Sequence, residues 1–263
     1  MFKGKTIWIT GASSGIGEAI AKDFSTLGAN LILSARRKPE LERVAASCTG
    51  ESSRIRILTL DLAHPESFSQ KTKEAISFFD GIDILINNGG ISQRSLILET
   101  NMESIRQIMD VNFFGTVALT KAVLPHMIDR NEGYIVVVSS VMGKIGTKYR
   151  SAYAASKHAL QGWFDCLRQE MYEHNIDVTL VCPGYVRTNI TINALTGDGS
   201  SFGKMGEAHT NALSAEEFSN RLIPKLRKRQ PEIYIGGKEI LTVYLKRWFP
   251  GLLNRLLRNV KVT

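Results

Sequence analysis

Tyr153 and Lys157 are four residues apart in SAYAASKHALQGWFDC, a stretch of helical periodicity, so their side chains share one face. A phenol with its ordinary pKa near 10 passes protons poorly at neutral pH unless a cation stabilises the phenolate, and a lysine one turn away supplies that cation. The pair therefore reads as a general acid/base acting on an oxygen atom. By itself this spacing is common on exposed helix faces. It gains weight from Ser140, thirteen residues upstream, which ends the apolar run YIVVVSS (134–140) and falls where a strand delivers a side chain to a sheet's carboxyl edge. Ser139 is the competing hydroxyl. Alternation along a strand puts the two on opposite faces, so only one can serve.

A second constellation lies near the N-terminus. KTIWIT (5–10) reads as a strand, and Thr10-Gly11-Ala12-Ser13-Ser14-Gly15-Ile16-Gly17 follows it and opens a helix closed by Gly28. Glycines between strand and helix let the backbone approach a pyrophosphate, which then meets the N–H groups of the helix N-terminus. The spacing is GxxxGxG, and the Lys-Ser/Thr of a nucleoside triphosphate loop is missing. Taken alone, the glycines have a simple turn as their competing reading.

The intervening chain supplies what would position both groups. Strand-like runs at 30–35, 54–60, 82–87, 134–140 and 178–183 alternate with helical segments at 39–48, 65–79, 102–129 and 151–174. Strands this apolar are buried on both faces, the mark of a parallel sheet between helix layers. Ser214 and Glu217 have capping-box spacing before a basic helix over 214–229, and EIYIG (232–236) reads as a seventh strand. Residues 187–213 are irregular and read as a loop or cover. With 263 residues, 43% hydrophobic and 22% charged, the chain is globular, and a single α/β domain of this length is routine. Three scattered cysteines argue against a disulfide framework and fit a reducing compartment; the five histidines have no metal-ligand spacing, so no metal is expected. There is no signal-peptide h-region and no uncharged apolar run near 18 residues.

TGASSGIG, Asn87-Asn88-Gly89-Gly90, Ser140, Tyr153 with Lys157, and Pro183-Gly184 occur in that order, and together they resemble the short-chain dehydrogenase/reductase family across about residues 4–237. Gly89 stands where that family has Ala, which should loosen the turn slightly. The resemblance implies a single Rossmann-type, doubly wound α/β domain of about seven parallel strands with helices on both faces. It implies hydride transfer between a nicotinamide and a carbonyl or secondary alcohol. Tyr153 would be the acid/base; Lys157 would lower its pKa and hold the nicotinamide ribose. Ser140 would bond the substrate oxygen, and Asn112 would support a proton relay, its competing reading being a polar residue that breaks a buried helix. Gly11, Ser13, Ser14, Gly15, Ile16, Gly17 and Asn88 would hold the cofactor, with Val186 and Thr188 at the carboxamide. Asp61 would meet the adenine, its competing reading being a helix cap in Asp-Leu-Ala-His-Pro. Where an NAD site would put an acidic residue after the second strand, the sequence has Arg36 and Arg37, which suit a 2′-phosphate and point to NADP(H).

Charge is uneven: residues 221–263 carry +9 and residues 1–220 carry −1. The expected organisation is a domain over 1–238 and a basic amphipathic extension over 239–263, as in membrane-associated dehydrogenase/reductase members with extended tails. That extension either rests on an anionic membrane or packs on its own domain or a partner subunit. The expected substrate is an apolar or lipid-like carbonyl or alcohol, with no nucleic acid partner, in a cytoplasmic homodimer or homotetramer with peripheral membrane contact as the further option. The alternatives are a 3-oxoacyl-carrier-protein reductase and, from another class, a catalytically silent NADP(H)-binding regulatory protein.

Overall fold

The computed structural model describes residues 1–204 and 212–258; Met205 and His209 of the expected cover and Lys261 of the tail lie outside them. Seven strands, β1 (Thr6–Thr10), β2 (Asn30–Ser34), β3 (Ile55–Ile57), β4 (Ile84–Asn87), β5 (Gly133–Val138), β6 (Ile176–Pro183) and β7 (Glu232–Ile235), form one parallel sheet in the order β3-β2-β1-β4-β5-β6-β7. The sheet is buried on both sides because its strands alternate between two apolar clusters. Ile7 and Ile9 of β1, with Val136 of β5, face one cluster; Trp8, Ile135 and Val137 face the other. The β3 strand is shorter than its apolar run because only three residues pair with β2.

One layer of helices holds α1 (Gly15–Thr26), α2 (Lys38–Ser47) and α7 (Ala215–Leu226). The other holds α3 (Phe68–Phe79), α4 (Met102–Met109), α5 (Gly115–Asp129) and α6 (Ser151–Glu170). The expected capping box at α7 is formed: Ser214 Oγ accepts from Glu217 N and Glu217 Oε2 accepts from Ser214 N. The segment over 102–129 is helical throughout, but one π turn, Asp110–Phe114, joins α4 to α5. Such a turn widens the helix by one residue and re-aims a side chain, here Asn112. Among the described residues this is the one helix long and apolar enough to cross a membrane, and it lies half-buried within the fold.

The chain runs from β1 outward to β3, then returns to lay β4 on the other side of β1. Such a switch point leaves a crevice beyond the carboxyl ends of the strands. The tail forms α8 (Leu241–Trp248) and α9 (Pro250–Arg258), which pack back against the end of β5 and the start of α6.

Candidate active site

A cavity of about 810 Å³ opens over the switch point, within the roughly 300–1,000 Å³ span of ligand sites. Its adenosine-side wall is the glycine turn. Gly11 and Gly15 have φ of 65° and 58°, which favours glycine at both. A Cβ on Gly17 would lie 2.3 Å from Gly11 O and 2.6 Å from Asn88 Nδ2, so Gly17 serves close packing of α1 and does not itself line the cavity. Asn88 Nδ2 donates to Thr10 O at 3.1 Å and Gly11 O at 3.2 Å, while Thr10 Oγ1 accepts from Asn88 N and Gly89 N. Asn88 thus ties the end of β4 to the turn. A Cβ on Gly89 would meet Leu62 Cδ1 at 2.6 Å, so a leucine methyl fills the space that an alanine methyl would take. The expected loosening is offset by that packing.

Ser13, Ser14, Gly15 and Ile16 line this wall, and Ser14 gives α1 no side-chain cap, which leaves the first-turn N–H groups for an anion. Arg36 and Arg37, just past β2, are exposed on the same wall. Asp61 also lines it, and its Oδ1 accepts from Ala63 N within the turn that follows. Val186 and Thr188 also line the cavity; a Cβ on Gly15 would be 3.0 Å from Thr188 Cγ2, so that turn lies against the glycines. Backbone that approaches this closely, a free helix N-terminus and two cations fit a dinucleotide bearing phosphates.

Tyr153, Lys157 and Ser140 converge on the other half of the cavity. Burial pushes the Tyr153 phenol above its ordinary value, opposed by the charge of Arg150, a hydrogen bond from Ser140 and the charge of Arg94. Burial also lowers the Lys157 ammonium to about 8, with the neighbouring Cys182 pulling the other way. Lys157 Nζ donates to Val138 O at 2.9 Å and stands 5.8 Å from the centre of the Tyr153 ring. Of the two serines, Ser139 is taken by α6: its Oγ donates to Lys157 O and accepts from Gln161 Nε2. Ser140 Oγ accepts from Met142 N at 3.1 Å, and both serines line the cavity. Asn112 is fully buried and stands off the cavity wall, with Oδ1 accepting from Ile91 N at 2.8 Å and Nδ2 donating to Ile91 O and Ser156 Oγ. It clamps the loop after β4 to α6.

Three further residues around the site carry no sequence signal of their own. Gln93 Oε1 accepts from Ala152 N at 2.7 Å and from Tyr153 N at 3.4 Å, capping α6 from a distant loop. Glu239 Oε1 accepts from Tyr185 N and Gly237 N, holding the turn after β6. Arg150, the residue before α6, is buried and lines the cavity. The tail contributes Lys238, Thr242 and Leu257 to the wall, and Leu253 packs with Met142, Ile145, Tyr153 and Ala154.

A doubly wound parallel sheet with a glycine turn at its switch point and a tyrosine, lysine and serine beside it defines a nicotinamide-dependent oxidoreductase class. Residues 5–198 match the family model for short chain dehydrogenase, and the chain belongs to that family. It is similar to dehydrogenase/reductase SDR family member 7B of Mus musculus, 41% identical over 95% of this chain and 79% of that protein. It is also similar to dehydrogenase/reductase SDR family protein 7-like of Drosophila melanogaster, 42% identical over 95% of this chain and 78% of that protein. Among solved structures, a short-chain dehydrogenase from Streptomyces avermitilis superposes with a TM-score of 0.79 at 25% identity, covering 96% of this chain and 99% of that one. One from Burkholderia phymatum, crystallised with NAD, superposes at 0.82 with 22% identity over 95% of both chains.

Proposed function

We propose that the protein is an NADP(H)-dependent oxidoreductase that interconverts a carbonyl and a secondary alcohol on an apolar, lipid-like substrate. The observation that carries this reading is the placement of Tyr153, Ser140 and Lys157 on the cavity that the glycine turn also lines. The nicotinamide, when bound, supplies or accepts the hydride. Tyr153 passes the proton at the substrate oxygen, Ser140 donates to that oxygen, and Lys157 supplies the cation and holds the cofactor ribose. Asn112 supports the relay by fixing the loop after β4. Gly11, Ser13, Ser14, Gly15, Ile16, Gly17, Asn88, Asp61, Val186 and Thr188 form or shape the cofactor site, with Arg36 the main contact for a 2′-phosphate and Arg37 a second. Apolar lining from Met142, Ile145, Ile190 and Leu257 supports the substrate class. Residues 239–258 act as an appended wall of the site on the domain over 1–238, and the assembly is a homodimer or homotetramer in the cytoplasm.

The test is oxidation of NADPH and NADH by purified protein over a panel of apolar ketones. NADPH is expected to be preferred, and Tyr153→Phe should lose on the order of 10²–10⁴-fold in kcat while still binding NADPH. Tight NADPH binding without turnover on any ketone would instead favour a regulatory binder, and turnover confined to carrier-bound 3-oxoacyl groups would favour the carrier-protein reductase.

A further inference from the structure

The turn after β6 is held from the start of the tail. Pro183, the last residue of β6, pairs with Ile235 of β7, and Gly184 N donates to Ile235 O at 2.8 Å. Gly184 and the pair Gly236-Gly237 thus meet at the carboxyl edge of the sheet, and the Glu239 carboxylate lies among them. A Cβ on Gly184 would stand 1.9 Å from Glu239 Oε1, one on Gly236 2.6 Å from the same atom, and one on Gly237 3.0 Å from Oε2. Oε1 accepts from Tyr185 N at 2.8 Å and from Gly237 N at 2.9 Å. Two backbone donors and three missing side chains make a seat the size of one carboxylate, and the chain fills it with its own.

What the seat fixes is the segment that leads out of it. Val186 and Arg187 pair with Leu213 and Ser214, and Thr188 Cγ2 lies against Gly15, so the outer part of the turn is secured by other elements. Its inner part, at Tyr185 N, is secured by Glu239. A charged acceptor makes the stronger kind of hydrogen bond, and a part-buried N–H left without one is costly, so removing the carboxylate releases the turn. Glu239 sits in a single 3₁₀ turn, Lys238–Ile240, that opens the tail, and the same tail ends with Leu253 packed against Tyr153. It also lies beyond residues 5–198, the part of the chain that the family model matches. We infer that Glu239 is a positioning residue for the nicotinamide end of the cofactor, so that docking of the tail and seating of the nicotinamide favour each other. This rests on the reading of the turn over 183–188 as the carboxamide contact.

The probes are two pairs, NADPH with 2′,5′-ADP and NADH with ADP, in which the second member keeps the adenosine end and lacks the nicotinamide. Calorimetry gives Kd for each. In Glu239→Ala the affinity for whichever dinucleotide the wild type binds should fall about tenfold, while its fragment stays within about threefold of wild type. Glu239→Gln keeps an uncharged acceptor of the same shape and should recover part of the loss; it carries the comparison by itself if the alanine variant does not fold. Gly236→Ala drives a methyl against the seated carboxylate and should cause a similar loss, with no further loss when combined with Glu239→Ala. A loss shared equally by dinucleotide and fragment, no loss on either, or additive losses in the double variant overturns the assignment. None of these measurements needs turnover, so failure of the ketone panel would end the reductase reading while they still decide the role of Glu239. Binding of neither dinucleotide would remove both.

Discussion

Burial holds Lys157 at about 8, below the 10.5 of a free lysine, and this couples the site to stability. Between those two values the unfolded chain holds a proton that the folded chain has released, so stability rises with pH across that window. Below pH 8 both states hold it, and the whole cost of burying an ammonium is present. Lys157→Met should therefore be more stable than wild type at pH 7, by about 3 kcal/mol at most from the shift of the lysine, with the gap closing toward pH 10.5. Denaturant unfolding at pH 7 and pH 10 checks this, and a gap that ignores pH would assign the effect to packing instead. On the proposed NADP(H) reading, Arg36→Asp exchanges a phosphate donor for a hydroxyl acceptor. One charge-assisted bond is worth about 1.5–3 kcal/mol, so the preference for NADPH over NADH should fall by about tenfold to a hundredfold. Kinetics with both cofactors measure it.

Elements matter here through their ends. The first turn of α1 can approach β4 because Gly17 has no side chain; Gly17→Ala would drive a methyl into the Gly11 carbonyl and the Asn88 amide, and neither can move without opening the turn. Loss of cofactor binding and a large fall in Tm are expected. Gly89→Ala makes a useful contrast, since its methyl meets the far end of the Leu62 side chain, which can turn aside. That variant should keep cofactor affinity within a few-fold by fluorescence titration. The head of α6 has a different arrangement, a cap delivered from the loop after β4 by Gln93. Gln93→Leu removes that acceptor from the Ala152 and Tyr153 amides, with an expected cost of about 1 kcal/mol and a fall in kcat larger than the change in cofactor affinity.

In the whole molecule the tail divides its apolar residues between two environments. Leu253 is buried with Leu245 and Leu257 beside it, against the wall that contains Tyr153. Trp248, Phe249, Leu252 and Leu256 are exposed, on helices that also carry Lys246, Arg247, Arg255 and Arg258. One set closes the site; the other, with its cations, has the character of a surface that lies on anionic lipid. Serine at the four exposed positions should abolish co-sedimentation with phosphatidylserine vesicles while the Tm stays near wild type, because the inward leucines are kept. Unchanged pelleting removes the membrane reading. Deleting residues 239–263 is a poorer test, since it also removes Glu239, Leu253 and Leu257 from the site.

Much of this was determined by local pattern. Period-two and period-3.6 apolar spacing, glycines at a strand-to-helix turn and the capping box at Ser214 each depend on neighbours in the chain, so the strands, most helices, the glycine turn and the helical face shared by Tyr153 and Lys157 are legible in residue order. The π turn was not, because it changes one hydrogen-bond register within an apolar helix and leaves no mark in composition. Neither was the engagement of Ser139 by α6, which depends on Gln161 arriving from that helix. Gln93 and Glu239 act on partners that are distant in sequence, and an isolated glutamine, glutamate or arginine looks the same on a solvated surface as in a buried wall. Only tertiary structure shows that Leu253 of the tail packs against the tyrosine and that the Arg150 guanidinium is buried in the lining of the same cavity.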